Sequence, residues 1–190
     1  MLATKSISED IKFTYDDYLL LPDDGKRYEI LEGELLMSPS PKHLHQKVLG
    51  RIFQLINEYV ERQQLGELII APFDVVISPH NVVQPDLLFV SNQNIEKIKS
   101  THFEGTPDLI IEILSSSSLQ RDRIIKRKIY ARFGLPEYWL VHPEKKYLQI
   151  LRLQAGTLRQ VAEFKANEVL TSPVFPGLEI ELKQIFSLKI

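Results

Sequence analysis

The sequence predicts an α/β fold, a mixed β-sheet flanked by helices, and three observations carry that prediction. Apolar runs rich in Ile, Leu and Val recur at strand length, bounded by Pro, Gly and Asn. Two longer segments repeat their apolar residues at helical spacing. The elements come in the order helix, three or four strands, helix, strands, which suits a sheet covered by helices. At 190 residues the chain is expected to form one domain, 1–190, which on folding buries roughly 70% of its unfolded surface. Its expected parts are an N-terminal helix and hairpin (1–40), an αβββαβ core (41–142) and C-terminal strands (143–190).

The first element is a short helix in "FTYDDYLLLP", with Thr14 as its cap and Pro22 closing it. "RYEILEGELLMS" reads as two strands around the turn Glu32-Gly33. "SPSPK" then breaks the chain before a long helix, about His43 to Gln63. There Val48, Leu49, Ile52, Phe53, Ile56, Tyr59 and Val60 keep helical spacing until Gly66. "ELIIAP", "FDVVIS" and "VVQPDLLFV" follow, separated by Pro72 and "SPHN", and are expected to form an antiparallel meander. After the polar, short helical "NQNIEKIKS" comes "DLIIEIL", apolar enough to be a central strand covered on both faces. A helix at about 118–133 ends at Gly134 and Pro136. The strand "EYWLV", the turn "HPEK" and the strands "YLQILRL" and "LRQVAEF" complete the pattern.

Composition narrows the functional classes. The chain is 44% hydrophobic and 25% charged, as soluble globular proteins are. No apolar run nears the roughly 20 residues that span a bilayer, so no membrane partner is expected. The N-terminus has no apolar signal core, and the expected compartment is the cytoplasm. With no cysteine, disulfides and thiolate metal sites are excluded. A net charge of −2 gives no global nucleic-acid footprint. Locally, "RDRIIKRK" at 121–128 concentrates basic residues.

The carboxylate of Glu112 sits inside an apolar strand, which is costly unless a partner offsets its charge. Strand alternation puts Gln84, Asp86 and Leu88 on one face, and Asp108, Ile110, Glu112 and Leu114 on one face of the later strand. If the strands are neighbours, Asp86 and Glu112 meet. Two such carboxylates do not both stay ionised without a cation. A hard divalent ion such as Mg²⁺ answers that need. On a wheel of about 100° per residue, Ile125, Ile129, Phe133, Leu119 and Tyr130 define the buried arc of the second helix. Asp122 and Lys126 fall inside it, whereas Lys128 falls on the wet side. An i,i+4 ion pair accounts for the proximity of Asp122 and Lys126 but not for both pointing at the sheet. His45 likewise faces inward from the first turn of the long helix.

These residues resemble a known family. Asp86 after Pro85, with Glu112 in a following strand, is similar to the restriction-endonuclease-like PD-(D/E)-X-K core. The ordered set "RYEILEGELLMSPSP", His45, "APFDVVIS", "VVQPDLLFV", "PDLIIEILS" and "GLPEYWLVHP" resembles the Uma2 family (DUF820) of restriction-endonuclease-like proteins over about residues 12–155. A standard motif would place lysine where Leu114 stands. The family pattern D-x-x-x-K-x-x-x-Y moves it to the next helix, here Asp122, Lys126 and Tyr130. Two departures are "SSSS" at 115–118 beside the expected site, and His142 in place of a common Asp at an outlying turn.

The resemblance implies a metal-dependent DNA endonuclease. Asp86 and Glu112 would hold Mg²⁺ or Mn²⁺, with Glu34 of the hairpin as an extra ligand. Lys126 would orient the attacking water or stabilise developing negative charge. His45 would contact phosphate or act as acid or base, while Asp74 is expected to be structural. DNA is the expected partner. A twofold homodimer is expected as well, since duplex cleavage needs two sites, with the apolar stretch 172–190 contributing to its interface. The competing reading is a catalytically inactive nucleic-acid-binding or assembly module on the same scaffold. A serine hydrolase built on Ser115–Ser118 lacks the Gly-x-Ser-x-Gly elbow.

Overall fold

Thr14 caps the first helix, α1 (Tyr15–Tyr18), and closes a capping box in which Asp17 accepts back from the Thr14 N–H at 2.8 Å. The structure, a computed structural model, describes residues 12–187. Residues 1–11, most of the segment that lacks a signal core, and 188–190 lie outside the described residues. The hairpin follows as β1 (Arg27–Leu31) and β2 (Glu34–Ser38). The long helix α2 runs His43–Gln63, the span its periodicity predicts. It ends on Gln64 in the left-handed conformation. Gly66 then opens β3 (Gly66–Ile70), where a Cβ would strike the Val90 carbonyl.

The next strands are β4 (Asp74–Ser78), β5 (Asn81–Val83), β6 (Leu87–Ser91), β7 (His102–Glu104) and β8 (Leu109–Ile113). The second helical segment begins with π-type turns at Arg121–Lys126 and continues as α3 (Arg127–Arg132). Then come β9 (Glu137–His142), β10 (Tyr147–Gln154) and β11 (Thr157–Lys165). The chain closes with β12 (Val169–Leu170), β13 (Ile180–Glu181) and α4 (Lys183–Phe186). Among the described residues, no helix is long and apolar enough to cross a membrane.

A mixed six-stranded sheet in the order β11-β10-β9-β8-β6-β3 carries the core; its β8–β9 pair is parallel and its other pairs are antiparallel. One face packs under α2, where Leu49, Ile52 and Ile56 meet Leu87, Phe89, Ile111 and Trp139. The opposite face carries Leu88, Ile110, Tyr138 and Leu140, and packs against Ile129 and Tyr130 of α3. On that side a second sheet, β2-β1-β5-β4-β7, adds Leu31, Val75 and Val83. All five residues of β8 are therefore buried, as a strand covered on both faces must be.

Three expectations are corrected. The segments 67–90 do not form one meander. Pro85 has no N–H to give to a ladder, and the run divides there. β5 pairs with β1 and β4 in the smaller sheet, while β6 pairs with β3 and β8 in the larger. Ile125 does not belong to the buried arc: it is 39% exposed, whereas Asp122 and Lys126 are buried, where the wheel placed them. Hydrogen bonds spanning five residues through 121–126 re-phase the side chains relative to an α-helix. Lastly, the apolar residues expected to contribute to a dimer interface are consumed within the chain. Phe175, Ile180, Leu182, Ile185 and Phe186 complete the core beneath α2.

Candidate active site

Pro85 delivers Asp86 to the start of β6, and the β6–β8 register sets Leu88 opposite Ile110. One alternation further along, Asp86 and Glu112 share the face that looks away from α2. The Asp86 N–H donates to Glu112 Oε2 at 3.4 Å, and the Ile113 N–H donates to Asp86 Oδ2 at 2.8 Å. The strand pair thus holds both carboxylates side by side. Lys126, at the end of the π-type turns, donates to Glu112 Oε1 at 2.8 Å, and Tyr130 adds its hydroxyl to the same oxygen at 3.3 Å. From α2, His45 Nε2 lies 3.1 Å from Asp86 Oδ2. Asp86, Glu112, Lys126 and His45 come from four separate segments and line one cavity of about 240 Å³.

Glu34 is not part of this cavity. It lies opposite Leu31 at the turn end of the hairpin and is exposed. The hairpin's contribution is Glu29, two residue pairs further from the turn, 1% exposed and 2.7 Å from Lys126 Nζ. Strand alternation offered one signal: Glu29 shares its face with Leu31, which packs in the core. Tyr28 and Ile30 make the other face equally apolar, so the pattern did not single Glu29 out. Arg121 also lines the cavity, 3.4 Å from Glu29 Oε2. Asp74 stands apart, accepting from the Tyr18 hydroxyl at 2.9 Å and Gln84 Nε2 at 2.7 Å. Burial, reinforced by the Asp74 carboxylate, pushes the Tyr18 phenol well above its usual range. His142 lies at the β9–β10 turn, its Nδ1 accepting from the Lys145 N–H, and does not line the cavity. The tetraserine loop does line it, with Ser115, Ser117 and Ser118 bonded to one another.

Burial separates the charges inside the cavity. Glu29, Asp86, Glu112 and Asp122 supply four buried carboxylates, while of the lining cations Lys126 is buried and Arg27, Lys42 and Arg121 are more exposed. Burial pushes the Glu112 carboxyl well above its usual range; Lys126 opposes this, while Asp122, Asp86 and Glu29 reinforce it. Burial likewise raises Asp122 against the pull of Lys126. Glu29 behaves differently. Burial acts upward on it too, yet Lys126 and Arg121 hold it below its ordinary value. Burial works against the Lys126 ammonium, but Glu112 and Glu29 keep its pKa well above that of a free lysine. Lys126 therefore keeps its proton and Glu29 its charge, and Glu112 shares the Lys126 cation with Glu29.

The donor set fits a hard divalent cation of the Mg²⁺ type, which takes one or two carboxylates and completes its shell with water and phosphate oxygens. No group of three or more His, Asp or Glu among the described residues forms a ready cage. The two adjacent carboxylates are what such an ion needs. Among the described residues, four buried side-chain atoms lack a hydrogen-bond partner: His45 Nδ1, Gln84 Oε1, Arg121 Nε and Asp122 Oδ1. All four residues line this cavity. Buried polar atoms are rarely left unpaired, so the cavity is built for polar occupants.

Residues 15–183 match the Uma2 family, described as "putative restriction endonuclease". The chain belongs to the Uma2 family. Among solved structures, this Uma2 chain is similar to a "putative nuclease belonging to DUF820" from Anabaena variabilis ATCC 29413. The TM-score is 0.77 at 22% identity, covering 92% of this chain and 98% of that one. That likeness shows the fold, which is restriction-endonuclease-like. No curated protein matches the chain.

Proposed function

We propose that this Uma2 protein is a divalent-metal-dependent DNA endonuclease. The observation that carries the reading is the meeting of Asp86, Glu112 and Lys126 in a cavity with four buried carboxylates and one buried cation. Asp86 and Glu112 would hold Mg²⁺ or Mn²⁺, which when bound supplies Lewis-acid polarisation of the phosphate and a water of lowered pKa. Lys126, held charged, stabilises negative charge growing on the phosphoryl oxygens. His45 orients Asp86 through Nε2, and its unpartnered Nδ1 can hold or move a proton within the cavity. Arg27, Lys42 and Arg121 on the lining attract the DNA backbone, consistent with a local rather than global basic surface.

A duplex presents two strands, and we take the working unit to be a twofold homodimer that offers two cavities. The cysteine-free composition suits action in a reducing cytoplasm. The test is cleavage of supercoiled plasmid and of single-stranded DNA with Mg²⁺, Mn²⁺ or EDTA. Cleavage with either ion and none in EDTA is expected. Cleavage that persists in EDTA, or folded protein inert with both ions, would refute the reading. One observation favours a second reading, a catalytically inactive DNA-binding module: Lys126 is 1% exposed and closed in by two carboxylates. That module would retain DNA on a filter without cutting it under any ion.

A further inference from the structure

Glu29 occupies the cavity without a part in the chemistry proposed above. It arrives from the smaller sheet, whereas Asp86 and Glu112 belong to the larger. Its Oε1 accepts from Lys126 Nζ at 2.7 Å and from the Gln84 N–H at 3.0 Å. Its Oε2 accepts from Ser38 Oγ at 3.4 Å and lies 3.4 Å from Arg121 Nη1. Both oxygens are thus engaged, by β2, by the chain just past β5 and by the turns at 121–126. Lys126 is shared almost equally, 2.7 Å from Glu29 and 2.8 Å from Glu112.

A divalent cation on Glu112 would meet the Lys126 ammonium on the same carboxylate, and two cations there repel. Lys126 then needs a second anchor, or it leaves the cavity wall. We infer that Glu29 is a positioning residue that retains Lys126 when a divalent cation takes Glu112, so that the ammonium stays beside the reacting phosphate. The inference rests on the metal-dependent reading. Glu29 suits this task because it is fixed by the Gln84 main-chain N–H, just past β5 of its own sheet, and need not move with β8. Lys126 and Arg121, acting against burial, hold its carboxylate in the charged form.

Two measurements test it. The first is the structure of wild-type protein loaded with Mg²⁺, without DNA. Lys126 Nζ is expected within hydrogen-bond distance of Glu29 and parted from Glu112. Finding Glu29 coordinated to Mg²⁺, or Lys126 still on Glu112, would overturn the inference. The second is a double-mutant cycle of Glu29→Gln and Lys126→Met, read as single-turnover cleavage at saturating Mg²⁺. Glu29→Gln alone should slow cleavage on the order of 10- to 100-fold, and by no more than about twofold once Lys126 is Met. Losses that multiply mean that Glu29 acts independently of Lys126, and the inference fails. If the wild type takes up Mg²⁺ but cuts no DNA, the endonuclease reading falls alone and the loaded structure still decides the role of Glu29. A wild type that takes up no Mg²⁺ overturns both.

Discussion

Replacing Lys126 by Met removes an ammonium and little volume, so its effect isolates charge. In the wild type that ammonium contacts Glu29 at 2.7 Å and Glu112 at 2.8 Å, with Asp122 at 3.8 Å. Lys126→Met leaves Arg121 to pair with Glu29 and Asp122 and takes the ammonium away from Glu112. Breaking a buried ion pair from one side costs about 3–5 kcal/mol, because the orphaned charge stays desolvated. For a domain of this size that lowers Tm by roughly 6–20 °C. The loss is expected in full at pH 8 and shrinks toward pH 5. Glu112 already has a folded-state pKa well above its unfolded value, so acidification protonates it first and removes the orphan charge. The assay is urea and thermal unfolding at both pH values without divalent ions, with Lys128→Ala, on the exposed side, as the control. Lys128→Ala should stay within about 0.5 kcal/mol of wild type. A Lys126→Met loss below about 1 kcal/mol at pH 8, or one that grows on acidification, would refute the reasoning. In plasmid cleavage with Mg²⁺ the same variant should lose on the order of 10²–10³ in rate, as removal of a transition-state charge stabiliser does.

Divalent ions should stabilise the fold more as pH rises. Between the unfolded carboxyl value and the raised pKa of Glu112, the folded state binds a proton that the unfolded chain has lost. Ion-free stability contributed by this group therefore falls across that window, and a cation must displace the proton. Calorimetric Tm gains with Mg²⁺ should be larger at pH 8 than at pH 5, and the opposite order would contradict the assignment of Glu112. Glu34→Gln, at an exposed strand end, should leave stability within about 0.5 kcal/mol and cleavage unchanged; a dead variant would restore Glu34 as a ligand. Phe175→Ala should cost about 3–5 kcal/mol in urea unfolding, because its buried ring meets Phe89 edge-on at 4.9 Å and lies against Trp139. Sedimentation of that variant, read beside wild type, should show the same association state, since the ring is spent on the chain's own core.

What the sequence determined by itself is what local periodicity encodes. The bounds of α2, the Thr14 cap, the two-sided burial of β8 and the shared face of Asp86 and Glu112 follow from repeats of 3.6 and 2 residues. Lys126 was also legible, because charged residues inside an apolar arc, here Asp122 and Lys126, stand out. Other features depended on which distant segments pair. β5 and β6 are separated by three residues, Gln84, Pro85 and Asp86, yet they join different sheets, and only the pairing of β5 with β1 settles that. Glu29 reaches Lys126 because the smaller sheet packs over α3's side of the larger one, and no spacing along "RYEIL" records that contact. The exposure of Ile125 arises from π-type turns that a uniform wheel does not contain. Burial of the C-terminal segment depends on the apolar surface that α2 and the larger sheet together offer it. Backbone periodicity is a property of neighbours in the chain, whereas strand partners and buried ion pairs are chosen by contacts across it. The side-by-side carboxylates could therefore be read from the sequence; the carboxylate on the far side of their lysine required the fold.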